Sequence, residues 1–185
     1  MIGSVSKYEG LYVLISYSLL IISIIICRPD MKLIKTLMVF LMLSASILGI
    51  IGISQYYGFD FLKTDFIKKL ILGKEYLYLL NDLDFVYNKG TVYATLFNPN
   101  FVGSYAVILL PVSMGIYLNI VKIKHKILTC LVSCIIFFTL LGSMSRAGML
   151  GGIVMIIIFV ILNIKLIKKK PMDFIVLTIA FIIVF

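Results

Sequence analysis

Five uninterrupted apolar runs dominate this sequence, and each is close to the roughly 17 to 25 residues that a helix needs to cross the hydrocarbon core of a membrane. The runs cover residues 8–27, 37–53, 101–121, 127–141 and 147–164. Hydrophobic side chains make up 62% of the chain and charged ones 14%, against roughly 45–50% and 25% in soluble domains. The sequence therefore predicts an all-α fold, a polytopic transmembrane helical bundle with five complete spans.

A sixth apolar run begins at Phe174 and is still apolar at Phe185. Its length of about 12 residues is too short to span a bilayer. We therefore expect the chain to contain only the start of a sixth helix. Residues 1–185 would then form a single transmembrane domain that is a fragment of a larger one.

The net charge of +9 would suggest a nucleic-acid partner in a soluble protein, but here the basic residues gather in three short loops between apolar runs. By the positive-inside rule these loops are cytoplasmic. The N-terminus and the nearly neutral loop 54–100 then lie outside, the expected partners are membrane lipids rather than nucleic acid, and the predicted location is a bacterial plasma membrane. The basic loop residues are Arg28, Lys32, Lys35, Lys122, Lys124, Lys126, Lys165, Lys168, Lys169 and Lys170.

The outer loop 54–100 contains one amphipathic stretch. From Asp65 to Leu72, apolar residues fall on one helical face and Lys68 and Lys69 on the other, a pattern typical of a helix at the headgroup boundary. Aromatic side chains that favour the same depth surround it, although stacking on carbohydrate is an alternative role for them. They are Tyr56, Tyr57, Phe59, Tyr76 and Tyr78.

Several polar or special residues have simple structural interpretations. Asn98 and Pro99 are a good N-cap and first helical residue for the third span, and Pro111 in that span predicts a kink. Gly148 and Gly152 predict a close helix contact. The pair Cys130 and Cys134 and the isolated His125 have no partners that would make a metal, redox or acid–base site, so we predict no metal and no cofactor.

Arg146 is the one residue that points to chemistry. It lies in a tight connection, residues 143–148, that the topology places outside. The planar guanidinium stays charged and can donate two parallel hydrogen bonds to a phosphate. The alternative is an arginine that only extends its head to the membrane surface, and chemistry alone leaves both interpretations open.

Four stretches of the sequence resemble the O-antigen ligase and polymerase family of bacterial membrane glycosyltransferases, in order and spacing. They are residues 8–11 (YEGL), 49–58 (GIIGISQYYG), 90–105 (GTVYATLFNPNFVGSY) and 145–148 (SRAG). The resemblance implies metal-independent transfer of a glycan from an undecaprenyl-diphosphate carrier to a sugar or lipid acceptor, outside the cytoplasm. It implies that Arg146 holds the diphosphate; we group Ser145 with it and take Asn98 and Asn100 as supporting residues.

The chain also departs from that family, whose members have roughly twice as many spans. They carry further arginines and an acceptor-side histidine in a second outer loop, and neither is present here. No catalytic residue is therefore identified, and we expect the chain to need the missing portion of the same protein for activity. Two alternatives remain: a transporter or flippase component, in which Pro111 would mark a broken helix, and a non-catalytic membrane fragment.

The predicted orientation is testable with single cysteines, in a background in which Cys27, Cys130 and Cys134 are replaced by serine. A cysteine in the loop between Lys122 and Lys126 should resist impermeant thiol reagents in intact cells, because that loop is predicted to be cytoplasmic. A cysteine beside Asp82 should react. The reverse pattern would invert the topology and place Arg146 inside.

Overall fold

The computed structural model describes residues 11–72, 87 and 89–184. Over these ranges all regular structure is helical, with no β-strand, which confirms the prediction of an all-α fold. The helices are α1 (Leu11–Cys27), α2 (Met31–Tyr56), α3 (Asp65–Leu72), α4 (Pro99–Asn119), α5 (Ile123–Gly142), α6 (Arg146–Lys169) and α7 (Pro171–Val184). Single 3₁₀ turns cover Phe61–Lys63 and Ala94–Leu96.

Four of these helices, α2, α4, α5 and α6, are long and apolar enough to cross a membrane. They contain 26, 21, 20 and 24 residues, and together they indicate a membrane protein. α1 and α7 are also apolar but shorter, with 17 and 14 residues. Residues 8–10 of the first predicted span, and with them most of its YEGL stretch, lie outside the described residues. The count of five complete spans and the orientation therefore stay predictions.

The chain divides into two compact units, Met1–Leu41 and Met42–Phe185, and the boundary falls inside α2. In the first unit, α1 ends at Cys27 and Arg28 turns the chain with a φ of 42°. Asp30 then accepts a hydrogen bond from the Leu33 backbone nitrogen at 2.8 Å. This side-chain cap satisfies one of the free N–H groups with which every helix begins.

In the second unit, α4 is the central helix. It packs against both α5 and α6, and α5 also packs against α7. One row of α4 residues, spaced four apart and therefore on one helical face, is almost fully buried. The row consists of Val102, Ala106, Leu110, Met114 and Leu118.

An ion pair and a hydrogen bond join the region of the α4–α5 turn to that of the α6–α7 turn. Lys126 forms an ion pair with Asp173 and lies 5.4 Å from the centre of the Tyr117 ring. Lys170 Nζ donates to the Leu118 carbonyl at 2.7 Å, where it satisfies an acceptor in the last turn of α4. Two of the three basic loops consequently lie at the same end of this unit, as alternating spans require.

Val92 inserts between α2 and α5 near their ends. Its side chain is completely buried, and its backbone nitrogen donates to the Gly142 carbonyl at 2.8 Å. A Cβ atom on Gly52 would lie 2.5 Å from one Val92 methyl carbon, and one on Gly142 would lie 2.7 Å from the other. Real Cβ atoms do not approach carbon this closely, so both glycines are required for Val92 to fit.

The short helix α3 forms at the residues predicted for it. Its apolar residues Phe66 and Leu70 are 76% and 73% exposed, so they have little packing within the protein itself. Of the predicted surface aromatics, Tyr57 and Phe59 are exposed, whereas Tyr56 packs edge-on against Phe138 at 5.2 Å. Tyr76 and Tyr78 lie outside the described residues. An interfacial position for α3 stays a prediction.

The fit of Val92 predicts a specific pattern of stabilities. Gly52→Ala should lower the free energy of unfolding by about 1–3 kcal/mol, because the stiff, branched Val92 side chain cannot move aside. Val92→Ala should be destabilising alone yet relieve part of the Gly52→Ala defect in the double variant. Gly151→Ala is the matched control, since its Cβ would meet only Val107 methyl carbons at an ordinary 3.6 Å.

Thermal unfolding of the purified protein in detergent measures all four variants. Strictly additive effects of Gly52→Ala and Val92→Ala would contradict the proposed contact.

Candidate functional site

The start of α4 is capped as predicted. Asn98 precedes the helix and its side-chain oxygen accepts from the Asn100 backbone nitrogen at 2.9 Å, while Pro99 occupies the first helical turn. Proline costs nothing there because its missing donor would have had no helical partner. The Asn100 side chain remains exposed beside this cap.

The start of α6 is capped by Ser145. Its hydroxyl accepts from the Gly148 backbone nitrogen at 3.0 Å and donates to Asn100 Oδ1 at 2.8 Å. Ser145 is only 3% exposed. The sequence groups Ser145 with Arg146 as a ligand to a diphosphate, and that stays a prediction. The two hydrogen bonds show that the same hydroxyl positions Asn100 and the start of α6.

A glycine contact fixes the distance between the two helix starts. A Cβ on Gly148 would lie 3.0 Å from Gly103 Cα, so the backbones of α4 and α6 nearly touch, as the Gly148 and Gly152 spacing predicted. Met144, with a φ of 53°, turns the chain between α5 and α6. Because both helices begin here, their positive dipole ends lie side by side. The first backbone N–H groups of α4 are already bonded to Asn98, and that of Gly148 in α6 is bonded to Ser145.

Arg146 is the first residue of α6, and its side chain is exposed. Within the part of the chain that the structure describes, no carboxylate pairs with its guanidinium. We call Asn98, Asn100, Ser145 and Arg146 the N-terminal corner. The structure thus brings together all four residues that the sequence proposed, and the corner presents a free cation and two helix N-termini. This is an environment that favours an anion.

A second polar cluster lies at the same end of the unit, and sequence reasoning gave it no role. The Gln55 side chain, 2% exposed, accepts from the Ala94 and Tyr93 backbone nitrogens at 2.7 and 3.3 Å. Its amide nitrogen donates to Asp60 Oδ1 at 3.2 Å. The sequence did contain one signal for this cluster. The Gln55 carboxamide closely follows a long apolar run, and a buried amide must find hydrogen-bond partners.

Asp60 completes this cluster. It accepts hydrogen bonds from the Tyr93 hydroxyl and from the Leu62 backbone nitrogen at 3.2 Å. Burial, and then the hydrogen bond to Asp60 and its negative charge, raise the pKa of Tyr93 well above its ordinary value of about 10. Every group in the cluster has a partner, so we interpret it as a lock that holds the segment before α4 in place.

The bond from Val92 to Gly142 connects the lock to the corner, because Gly142 is three residues before Ser145. The lock therefore supports the α5–α6 turn from which Arg146 projects. Its contribution to the site is structural support rather than direct chemistry.

Helix α4 passes through Pro111 without a break, from Pro99 to Asn119. Ser113 donates to the Leu110 carbonyl at 2.8 Å on the same turn. In the transporter alternative Pro111 would mark a broken helix, whereas α4 is continuous at that residue.

Comparison with known proteins adds no assignment. No protein-family model matches the chain, and searches of curated proteins and of solved structures return no significant match. The O-antigen ligase resemblance therefore depends on the sequence motifs alone.

The pKa of Tyr93 predicts a pH effect on stability. Below about pH 10 the phenol is protonated in both folded and unfolded chains, and its bond to Asp60 contributes fully. Above that pH the unfolded chain ionises first, so the contribution is lost as the pH rises towards the folded pKa.

The measurement is the unfolding temperature from pH 8 to pH 11 for wild type and for Tyr93→Phe. At pH 8 the free energy of unfolding should be about 1–3 kcal/mol higher for wild type than for Tyr93→Phe. This difference, and with it the difference in unfolding temperature, should shrink as the pH rises. Tyr57→Phe, at an exposed position, is the control and should follow wild type throughout. A Tyr93→Phe difference independent of pH would contradict the bond to Asp60.

Proposed function

We propose that this chain is part of a membrane glycosyltransferase of the O-antigen ligase and polymerase type. It would move an undecaprenyl-diphosphate-linked glycan onto a sugar or lipid acceptor during assembly of cell-surface polysaccharide. The observation that carries the proposal is the exposed Arg146 guanidinium at the start of α6, which no described carboxylate neutralises.

The geometry of the corner suits a diphosphate. Arg146 can donate two parallel hydrogen bonds to adjacent phosphate oxygens. The neighbouring starts of α4 and α6 add partial positive charge within the first turn of each helix. Asn100 uses its side-chain oxygen for Ser145, which leaves its exposed amide nitrogen as a further donor.

These groups would act on the leaving group. In glycosyl transfer, the acceptor hydroxyl forms a bond to the anomeric carbon while the bond from that carbon to the diphosphate breaks. Negative charge then increases on the departing diphosphate. A fixed cation and fixed dipoles aimed at that charge stabilise the transition state without reorganising during the reaction. Ser145 holds Asn100 and the first turn of α6 in register for this role.

Burial patterns support this proposal over simple anchoring. An arginine that only anchors a helix has no need of a buried, hydrogen-bonded support. Here the corner rests on Ser145, on the Gly103–Gly148 contact and, through Val92, on the Gln55 lock. This support restrains the backbone of Arg146 and so lowers the entropy cost of ordering the corner around a ligand.

Substitution of Arg146 tests the proposal by direct binding of undecaprenyl diphosphate to the purified chain in detergent, measured by native mass spectrometry. Arg146→Lys should weaken binding almost as much as Arg146→Ala, because lysine keeps the charge but not the bidentate fork. Both should lose at least tenfold in affinity, the order expected for charge-assisted hydrogen bonds.

Arg28 supplies the matched control, since it is the other arginine of the chain and is also exposed. Arg28→Lys and Arg28→Ala should bind like wild type. Wild-type affinity in well-folded Arg146→Ala would remove the basis of the proposal. Wild-type affinity in Arg146→Lys, with weakened affinity in Arg146→Ala, would mean that Arg146 contributes only its charge at the membrane surface.

A further inference from the structure

Helices α4 and α6 separate progressively along their length. Near their starts, a Cβ on Gly148 would lie 3.0 Å from Gly103 Cα. One turn on, a Cβ on Gly151 would lie 3.6 Å from the Val107 methyl carbons. About three turns after Gly103, a Cβ on Gly115 would meet no atom within 4 Å. The two helices run in the same direction, so they are closed at the corner and open at the opposite end.

The opening is a groove of about 730 Å³ between the second halves of α4 and α6. Its walls are apolar until the last turn, where two asparagines line it. Both amides donate to carbonyls of their own helices, Asn119 to Gly115 and Asn163 to Phe159, at 2.8 and 3.0 Å. Representative lining residues are Pro111, Gly115, Asn119, Met155, Phe159 and Asn163.

Two exposed lysines, Lys122 and Lys165, follow the last groove-lining residues of α4 and α6 along the chain, and we call them the basic rim. Lys165 follows the groove residue Leu162 by one helical turn on the same face, and Lys122 follows Asn119 after α4 ends. Both side chains are exposed. The only acid after residue 100 is Asp173, and it is already paired with Lys126. Neither rim lysine has an acidic partner among the described residues.

We propose that the groove and its rim bind one anionic phospholipid of the surrounding bilayer. An acyl chain would fill the apolar groove, and the headgroup phosphate would lie between Lys122 and Lys165. The combination argues for this occupant: the groove alone would accept any apolar chain, whereas the rim selects a headgroup with net negative charge. Clusters of lysine next to a span attract anionic lipids in this way. The inference does not depend on the proposed glycan transfer, because the groove is at the other end of α4 and α6 from Arg146.

The headgroup half of the proposal is tested with two lipids that share the same acyl chains, phosphatidylglycerol and phosphatidylcholine. Native mass spectrometry of the purified chain should show phosphatidylglycerol retained at least tenfold more tightly. Lys122→Gln/Lys165→Gln should abolish that preference, at about fivefold per lysine. Lys32→Gln/Lys35→Gln changes the net charge equally at two other exposed lysines and should keep it.

The groove half is tested at Gly115, where a side chain can enter without a clash. Gly115→Leu should lower retention of both lipids about tenfold, because it occupies the space of the acyl chain. Gly115→Ala makes the same glycine replacement but fills little of the groove, and it should bind like wild type. Circular dichroism and size-exclusion chromatography identify any variant that is misfolded, and the lysine pair still tests the proposal if Gly115→Leu does not fold.

Three results would overturn the proposal: equal retention of the two lipids by wild type, an unchanged preference in Lys122→Gln/Lys165→Gln, or unchanged retention in folded Gly115→Leu. Loss of preference in Lys32→Gln/Lys35→Gln as well would also overturn it, since net charge rather than the rim would then be responsible.

Discussion

Hydrocarbon offers no hydrogen bonds and little reason for apolar helices to associate, and the structure of this chain follows from both facts. Hydroxyl groups in the spans bond to carbonyls one turn back, as Ser46 does to Met42 and Thr139 to Ile135, both at 2.8 Å. Close helix contacts are made at glycines, which bring backbones within van der Waals reach. Among the described residues, the chain departs from regular helix near the ends of the spans, and the polar clusters are found there.

The two polar clusters at one end of the second unit differ in how far their groups are satisfied. In the Gln55 lock, each donor and acceptor that we describe has a partner, and such a network stabilises a single conformation. In the N-terminal corner, Ser145 is satisfied while the Arg146 cation is not. Among the described residues, the contrast separates a group that maintains structure from a group that is available to a ligand.

The hydrophobic runs and capping residues were sufficient to predict the helical class, the start of α4 at Asn98 and the close contact at Gly148. The packing of Val92 between Gly52 and Gly142 was not predictable, because it depends on partners 40 and 50 residues away. The motifs named Arg146, Ser145 and Asn100, but spacing does not show that the Ser145 hydroxyl bonds to both Asn100 and the Gly148 backbone. The α4–α6 groove depends on how two helices diverge, which no local pattern encodes.

The Ser145–Asn100 bond also has a consequence for the order of biosynthesis. Its two residues are 45 positions apart, and a ribosome adding about 5–20 residues per second needs roughly 2 to 9 seconds to make the intervening chain. During that interval α4 is synthesised while the α6 cap that packs against it does not yet exist. The nascent chain must therefore keep the start of α4 satisfied by Asn98 and by water until α5 and α6 follow. The Asn98 cap of α4 is therefore needed during membrane insertion as well as in the finished fold.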